Sequence, residues 1–294
     1  MAADVLKTRF IVNPHSGATH RALPALERFA TKHGAEIVFT ARPRHATELA
    51  ERAGAEHCEL IVAVGGDGTL NEVARGVLRT DSVLGLVPCG SGNGLGRHLG
   101  IHGSVPHALG ILRSGLVRRI DTGWVEGIPF FTVAGLGFEA EISDRFNRLN
   151  HRGFSRYLMT AAQMFAAFKP FECRIEHAGN SEQVRVFTLA VANSDQYGNN
   201  AHIAPSARID DGLLDLTVVP PVGFFNAVPL LARLFTGTLR TGVTHRQADR
   251  FVIERNAPGL VHTDGETHML GPRIEFTVKP RSLPILVPAI RATL

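Results

Sequence analysis

The sequence has few cysteines, and its first residues are not an apolar run. Three of its 294 residues are cysteines, and their number and spacing fit neither a metal site nor a disulfide framework. Such sparse use of cysteine is typical of a reducing compartment. The first nine residues include three charged side chains and lack the apolar core of a signal peptide. We therefore expect a cytoplasmic protein.

Long hydrophobic stretches are also missing. A membrane-spanning helix needs about 20 predominantly apolar residues in a row. The best candidate, residues 218–235, is interrupted by three prolines and by Arg233. Any contact with a membrane is therefore expected to be peripheral.

Two common phosphate-transfer motifs are absent as well. The sequence contains neither the Gly-Lys-Ser/Thr phosphate loop nor the His-Arg-Asp motif of protein kinases. Its fourteen histidines are scattered without metal-ligand spacing, and we assign them no role.

The composition is that of an ordinary globular protein, with 44% hydrophobic and 20% charged residues. The length suits two domains. The formal charge of +4 and the sequence pI of about 9.3 are compatible with anionic lipid surfaces or nucleotide substrates.

The first part of the chain alternates strand and helix patterns. Residues 60–64 form a continuous apolar run, which is typical of a strand buried on both faces of a parallel sheet. This alternation predicts an α/β layered domain. We predict strands at residues 9–12, 36–40, 60–64 and 83–87, and helices at residues 21–33, 45–53 and 69–78.

After about residue 117 the pattern changes. Apart from a predicted helix at residues 156–168, the segments are short, alternate between apolar and polar residues, and are separated by turn residues. This is typical of an antiparallel β-sandwich or barrel. We therefore predict an α/β domain over residues 1–118 and a β domain over residues 119–282. A last strand, within residues 283–294, can join the first domain.

The most informative segment is residues 64–73, which follows a predicted buried strand and opens a helix. Its three glycines let the backbone approach a ligand without interference from a Cβ atom. The helix N-terminus favours phosphate, and the spacing of Thr69 and Glu72 predicts a capping box there. Asp67 is unusual in an anion site, which indicates a Mg²⁺ ligand or a proton-handling group. The alternative is a tight turn with Asp67 as a turn residue.

Two further glycine-containing turns, at residues 88–94 and 13–17, follow other predicted strands. The carboxyl ends of parallel strands meet at one edge of a sheet, where ligands bind. The three turns are therefore predicted to form one side of a single pocket.

Five motifs together resemble the diacylglycerol kinase catalytic-domain family, which includes bacterial lipid kinases, sphingosine kinases and ceramide kinases. They occur in order over nearly the whole chain. The resemblance implies an N-terminal α/β nucleotide domain like that of NAD kinase and phosphofructokinase, followed by a β-sandwich domain. The motifs are Asn-Pro-His-Ser-Gly at 13–17, Gly-Gly-Asp-Gly-Thr at 65–69, Gly-Ser-Gly-Asn at 90–93, Gly-Leu-Gly-Phe at 135–138 and Asp-Gly-Glu at 264–266.

The resemblance also implies roles for individual residues. Glu266 would be the general base toward the lipid hydroxyl, and Asp67 would act near the transferred phosphate through Mg²⁺. Without their partners, residues 264–266 are equally compatible with a simple β-turn. The implied ATP-binding residues are Asn13, Pro14, His15, Ser16, Gly17, Thr40, Gly65, Gly66, Asp67, Gly68, Thr69, Asn71, Ser91 and Asn93.

The family has a structural Mg²⁺ site formed by one aspartate and two main-chain carbonyls. In this sequence these would be Asp211 and the carbonyls of Arg208 and Leu213. Oxygen-only ligation suits a hard cation, although an Asp-Gly hairpin would give the same pattern.

The sequence departs from the family pattern at two places. Gly94 stands where many bacterial members have an acidic residue, and Tyr-Gly-Asn-Asn at 197–200 replaces a run that is usually richer in glycine. The first departure resembles sphingosine and ceramide kinases, which leaves the lipid's identity open. Residues 135–140 match a dinucleotide fingerprint, but they lie in the β-rich half and no acidic residue follows about 20 positions on.

Residues 145–169 carry four arginines and no acidic residue, with apolar side chains between them. They predict either a membrane-facing surface beside the lipid entrance or a core-packed helix with a solvated basic rim. The arginines are Arg145, Arg148, Arg152 and Arg156.

We therefore predict a cytoplasmic enzyme, peripheral at the membrane, that uses ATP and Mg²⁺ to phosphorylate a hydroxyl of diacylglycerol or a sphingoid-type lipid. An NAD kinase-like small-molecule kinase and a non-catalytic lipid-binding protein are the alternatives. The presence of both Asp67 and Glu266 favours an enzyme. No nucleic-acid partner is expected, and the oligomeric state is left open, with a homodimer among the options.

Overall fold

The computed structural model describes residues 6–148 and 154–289. The chain divides into two compact units. The first, called here the α/β unit, contains residues 1–120 and 281–294, and the second, the sandwich unit, contains residues 121–280. No helix among the described residues is long and apolar enough to cross a bilayer.

The α/β unit alternates strands and helices as the sequence predicts. Its elements are β1 (Thr8–Val12), α1 (Thr19–His33), β2 (Glu36–Phe39), α2 (His45–Ala55), β3 (Leu60–Gly65), α3 (Asp67–Val77), β4 (Val83–Pro88), α4 (Gly94–His98), α5 (Val105–Ser114) and the start of β5 (Leu116–Val125).

The strands of this unit form a parallel sheet in the order β2-β1-β3-β4. In this register Val12 lies beside Val64, and Gly65 lies beside Pro88, so the three strands end at one edge. All six residues of β3 are buried, as expected for a strand covered on both faces. The end of β16 (Arg273–Val287), the last strand among the described residues, pairs with β4 in parallel where Ile285 meets Leu84.

The sandwich unit contains most of the antiparallel strands. Its elements are the end of β5, then β6 (Ile128–Phe130), β7 (Val133–Gly137), α6 (Phe138–Asn147), α7 (Phe154–Phe165), β8 (Phe171–His177), β9 (Asn180–Val186), β10 (Thr188–Ala192), β11 (Leu214–Val219), α8 (Phe224–Thr236), β12 (Thr244–Ala248), β13 (Arg250–Arg255), β14 (Gly259–Thr263), β15 (Glu266–Leu270) and the start of β16 (Arg273–Val287).

One sheet of this unit has the order β12-β11-β10-β7-β14-β15, and the other contains β16, β13, β8 and β9. Fully buried side chains from both sheets form one apolar cluster, which includes Leu136, Val191, Phe251 and Phe276. The predicted fold class, an α/β domain followed by a β-sandwich, is confirmed.

Helices are more frequent in the sandwich unit than the sequence patterns predict. The helix predicted at residues 156–168 corresponds to α7, whereas α6 and α8 were not predicted. The segment at residues 135–140 does connect a strand to a helix. However, β7 is antiparallel to both of its neighbours, so the segment is no part of a βαβ dinucleotide unit.

Candidate active site

Three turns of the α/β unit meet at the carboxyl edge of its sheet. Backbone hydrogen bonds tie them together: Asn13 N donates to Val64 O at 3.1 Å, and Cys89 N donates to Gly65 O at 2.7 Å. Ala18 N donates to Cys89 O at 3.0 Å, which links the first turn to the third. The turns at residues 13–17, 65–69 and 88–94 therefore form one continuous surface.

Glycine is required where these turns touch. A Cβ atom on Gly17, whose φ is +47°, would lie 2.2 Å from Cys89 O. A Cβ atom on Gly90 would lie 2.7 Å from the Cα atom of Gly66. Real Cβ atoms do not approach other atoms so closely, so any larger residue here would push two turns apart.

Polar side chains cross-link the same turns. Ser16 Oγ accepts a hydrogen bond from Gly66 N at 2.7 Å, and Asn13 Nδ2 donates to Thr69 Oγ1 at 3.1 Å. The Asn93 side chain both accepts from Gly90 N and donates to Gly90 O. The structure thus brings together the predicted residues of all three motifs.

The other predicted nucleotide-binding residues lie at the end of β2, on the turns or inside α3. Thr40 follows β2 and its N–H donates to Val12 O at 2.9 Å, which places it beside the end of β1. Pro14, His15 and Ser91 are exposed on the turns, whereas Asn71 is buried in α3.

Asp67 binds the third turn directly. Its two carboxylate oxygens accept backbone hydrogen bonds from Asn93 N at 2.8 Å and from Gly94 N at 2.7 Å. A Cβ atom on Gly92 would lie 2.5 Å from Asp67 Oδ2, so glycine leaves room for the carboxylate. Asp67 therefore has a positioning function in the fold in addition to its negative charge.

The N-terminus of α3 differs from the prediction. The helix begins at Asp67 with Gly66 as its N-cap and no capping side chain, so the predicted Thr69–Glu72 capping box is wrong. The Glu72 carboxylate instead accepts hydrogen bonds from Arg44 N and Ala46 N and caps the start of α2. A Cβ atom on Gly68 would meet no other atom within 4 Å, so the first turn of α3 faces open space there.

In the sandwich unit, Asp264, Gly265 and Glu266 form the tight turn between β14 and β15. Asp264 and Gly265 have φ values of +51° and +88°, as in the two-residue turns that join antiparallel strands. The Asp264 carboxylate accepts hydrogen bonds from the backbone N–H groups of Phe131, Thr132 and Val133 and from Thr132 Oγ1. The motif at residues 264–266 predicts a turn but does not indicate that Asp264 anchors it to residues 131–133.

A buried polar network lies behind the same turn. The Gly265 N–H donates to His262 Nδ1 at 3.3 Å, and His262 Nε2 lies 3.4 Å from Glu139 Oε1. Tyr197 Oη donates to the other oxygen of Glu139. A neutral imidazole that accepts at Nδ1 carries its proton on Nε2, which here faces the carboxylate. No local sequence pattern predicts these contacts, although Glu139 directly follows one family motif and His262 lies two residues before another.

The predicted metal site contains several oxygen atoms. Asp211 Oδ1 accepts a hydrogen bond from Leu213 N at 3.1 Å, and Gln247 Nε2 approaches both Asp211 Oδ2 and Asp215 Oδ2. Burial, together with the nearby Asp211 carboxylate, raises the pKa of Asp215 to about 6. Among residues 6–148 and 154–289, no cluster of three or more His, Cys, Asp or Glu side chains has an arrangement suited to a metal ion.

The basic segment is only partly described, because Arg152 lies outside the described residues. Arg148 forms an ion pair with Asp144 at 2.8 Å. The rings of Phe165 and Phe168 pack against Phe138. These contacts favour the core-packed interpretation for these two aromatic side chains.

Comparison with known proteins gives consistent results for both units. The profile of the diacylglycerol kinase catalytic domain matches residues 7–125, and that of the YegS C-terminal NAD kinase beta sandwich-like domain matches residues 132–287. The diacylglycerol kinase of Bacillus subtilis strain 168 is 27% identical over 97% of this chain and 98% of its own length. A probable YegS-like lipid kinase of Pseudomonas aeruginosa is 30% identical over 92% of this chain and 89% of its own length.

Structural comparison supports the fold. A crystal structure of a diacylglycerol kinase from Bacillus anthracis strain Sterne aligns with a TM-score of 0.75, covering 98% of each chain at 20% identity. At that identity the likeness shows the fold alone, whereas the domain profiles and the sequence relatives show the family. The chain therefore belongs to the family of lipid kinases that joins a diacylglycerol kinase catalytic domain to a YegS-type β-sandwich domain.

Proposed function

We propose that this lipid kinase transfers the γ-phosphoryl group of ATP to a hydroxyl of diacylglycerol or of a sphingoid-type lipid. The observation that supports the proposal most is the meeting of three glycine-containing turns beside the open N-terminus of α3. In this proposal the α/β unit binds ATP, the sandwich unit binds the lipid, and the enzyme works peripherally at the cytoplasmic side of a membrane.

The phosphates of ATP would bind along the three turns. The N-terminus of α3 presents the positive end of the helix dipole, and a Cβ atom on Gly68 in its first turn would meet no other atom within 4 Å. Hydroxyl and amide groups of Asn13, Ser16 and Thr69 lie at the same surface, with Thr40 and Ser91 nearby along the edge. These groups supply hydrogen bonds rather than full positive charge.

Magnesium fits the chemistry of two places. The Asp67 carboxylate is an oxygen ligand of the kind that Mg²⁺ prefers, and it lies where the second turn meets the third. In this proposal the Asp211 carboxylate and the main-chain carbonyls of Arg208 and Leu213 would supply the oxygen ligands of a second Mg²⁺. A bound Mg²⁺ would neutralise charge on the transferred phosphate.

Glu266 is the proposed general base. The hydroxyl oxygen of the lipid attacks the γ-phosphorus while the bond from that phosphorus to the bridging oxygen breaks, and ADP leaves. The proton of the hydroxyl passes to the Glu266 carboxylate. Asp264 fixes the turn that carries this carboxylate, through four hydrogen bonds.

Asp264→Asn is expected to destabilise the protein by about 2–3 kcal/mol, because hydrogen bonds to a charged group are the stronger ones. Asparagine can accept through one oxygen only, so at least one of the N–H groups of residues 131–133 would face an amide NH₂ group. Thermal unfolding measures the effect. The exposed Asp249, changed to Asn, is the control and should leave the unfolding temperature unchanged. An equal, small shift in both variants would contradict the anchoring function of Asp264.

The proposed activity is tested by incubating the protein with γ-labelled ATP and Mg²⁺. Separate reactions contain diacylglycerol, sphingosine, ceramide or monoacylglycerol in micelles, and one contains NAD⁺. We expect label in one or more lipid phosphates, with loss of transfer when Mg²⁺ is chelated. Label in NADP⁺ alone would favour the small-molecule kinase, and binding of a lipid without transfer would favour a non-catalytic protein.

A further inference from the structure

Helix α8 exposes apolar side chains on its outer side. Phe225 is 88% exposed, Val228 is 58% exposed and Leu231 is 47% exposed. They recur at every third position along the helix, and Pro229 and Ala232 between them are exposed as well. Among the described side chains of α8, the exposed polar ones are Asn226 near its start and Thr236 at its end. The described side chains on the exposed side of α8 therefore carry no charge.

The inner side of α8 is apolar too. Leu230 and Leu234 pack against a buried cluster of the sandwich unit that contains Ile203 and Leu239. A surface helix of a globular protein normally has an apolar stripe toward the core and a polar side toward water. Leu230 and Leu234 contact the core, whereas the outer apolar residues expose about half or more of their area to the surroundings. That exposed area is what a second apolar phase would cover.

The size of this surface argues against a stable protein interface. A helix of 13 residues is about 20 Å long and about 10 Å wide, so its exposed side offers roughly 200 Å². Stable protein–protein interfaces bury about 800 Å² on each partner. A single apolar helix side is sufficient, in contrast, for a helix that lies in the boundary between lipid headgroups and acyl chains.

The charge around α8 also fits a lipid surface. Residues 220–243 contain Arg233 and Arg240 and no Asp or Glu. Arg240 is exposed, and Arg233 Nη1 donates to Thr241 O at the end of the helix. An apolar side with basic residues beside it is the arrangement expected for contact with anionic lipids.

We propose that the outer side of α8 docks into the surface of an anionic bilayer, with Phe225, Val228 and Leu231 at the headgroup boundary. The inference rests on the proposed function in one respect, since the membrane would be the one that supplies the lipid substrate. It places the membrane contact on a helix outside the basic segment of residues 145–169.

The test compares two double variants of the full chain. In Phe225→Ser/Val228→Ser the docking side of α8 becomes polar, and in Leu116→Ser/Val117→Ser two comparably exposed apolar residues of β5 become polar. Co-sedimentation with vesicles of phosphatidylglycerol and phosphatidylethanolamine is measured at low and at physiological salt. We expect the α8 variant to bind at least about tenfold more weakly and the β5 variant to bind like the parent protein. Equal binding by all three proteins would overturn the proposal.

Two further measurements separate the alternatives. A concentration-dependent dimer that the α8 variant abolishes would assign this surface to a second copy of the chain and overturn the bilayer proposal.

Activity toward a short-chain diacylglycerol, presented as monomers, should be the same in the α8 variant and the parent, while activity toward lipid in vesicles falls. Equal loss of both activities, with vesicle binding like that of the parent protein, would contradict docking through α8. If the parent protein phosphorylates no lipid, the proposed function is refuted. The vesicle-binding experiment would still test, by itself, whether α8 docks on the bilayer.

Discussion

Replacement of Asp67 by asparagine is expected to lower the rate of lipid phosphorylation by about 10²-fold or more. Two effects combine. The change removes negative charge beside the proposed phosphate site, and it leaves a single oxygen where two accept hydrogen bonds from Asn93 N and Gly94 N. The measured quantity is the initial rate at saturating ATP and lipid, together with the Mg²⁺ concentration that gives half of it.

Asn93→Gly is the matched control for the structural part of this effect. It removes the hydrogen bonds between the Asn93 side chain and Gly90 but keeps the Asp67 carboxylate, and glycine adopts the φ of +53° found there. Its loss of activity should stay within about tenfold, because only neutral hydrogen bonds are lost. Equal losses in the two variants would mean that Asp67 acts through the loop and not through its charge. Normal turnover of a folded Asp67→Asn protein would refute the catalytic assignment.

Glu266→Gln is expected to slow the chemical step by about 10²–10⁴-fold with little change in ATP affinity. Glutamine keeps the size of the side chain and can still hydrogen-bond a hydroxyl, but it cannot accept the proton. Asp264 and its four hydrogen bonds stay in place, so the turn should keep its shape. Single-turnover phosphorylation and an ATP titration on the same protein separate the two quantities.

The control for Glu266 is Glu172→Gln, which neutralises an exposed carboxylate on β8 of the same unit and should leave the rate unchanged. If the Glu266 variant instead loses ATP affinity while its chemical step is normal at saturation, Glu266 is a nucleotide or metal contact. Asp67 would then be the first alternative for the base.

The α/β unit was predictable because most residues of its strands β1, β3 and β4 are buried. Residues 60–64, predicted as a strand from a continuous apolar run, form most of β3. In contrast, α8 was missed because most of its residues are apolar, on its inner and its outer side alike, so the stretch was compared with a membrane span. Residues 218–235 contain three prolines and were interpreted as an interrupted membrane span. The short helix that the structure has there contains one of these prolines, Pro229.

The positions of the site turns followed from local sequence, but their partners did not. The donors to Asp264 are more than 130 residues away along the chain, and the Glu139–His262 approach depends on how α6 lies against β14. Such contacts are set by sheet register and helix packing, which a local pattern does not encode. Likewise, the spacing of Thr69 and Glu72 matched a capping box, but Glu72 caps another helix.

The close approach of the glycine turns has a consequence for how substitutions combine. A methyl group on Gly17 would displace the turn at Cys89, and one on Gly90 would displace Gly66. Effects of neighbouring substitutions are not additive when they force the same movement. Both methyl groups would press on the turn at residues 88–94, one from the first turn and one within it. The costs of substituting Gly17 and Gly90 together are therefore expected to differ from the sum of the two single costs.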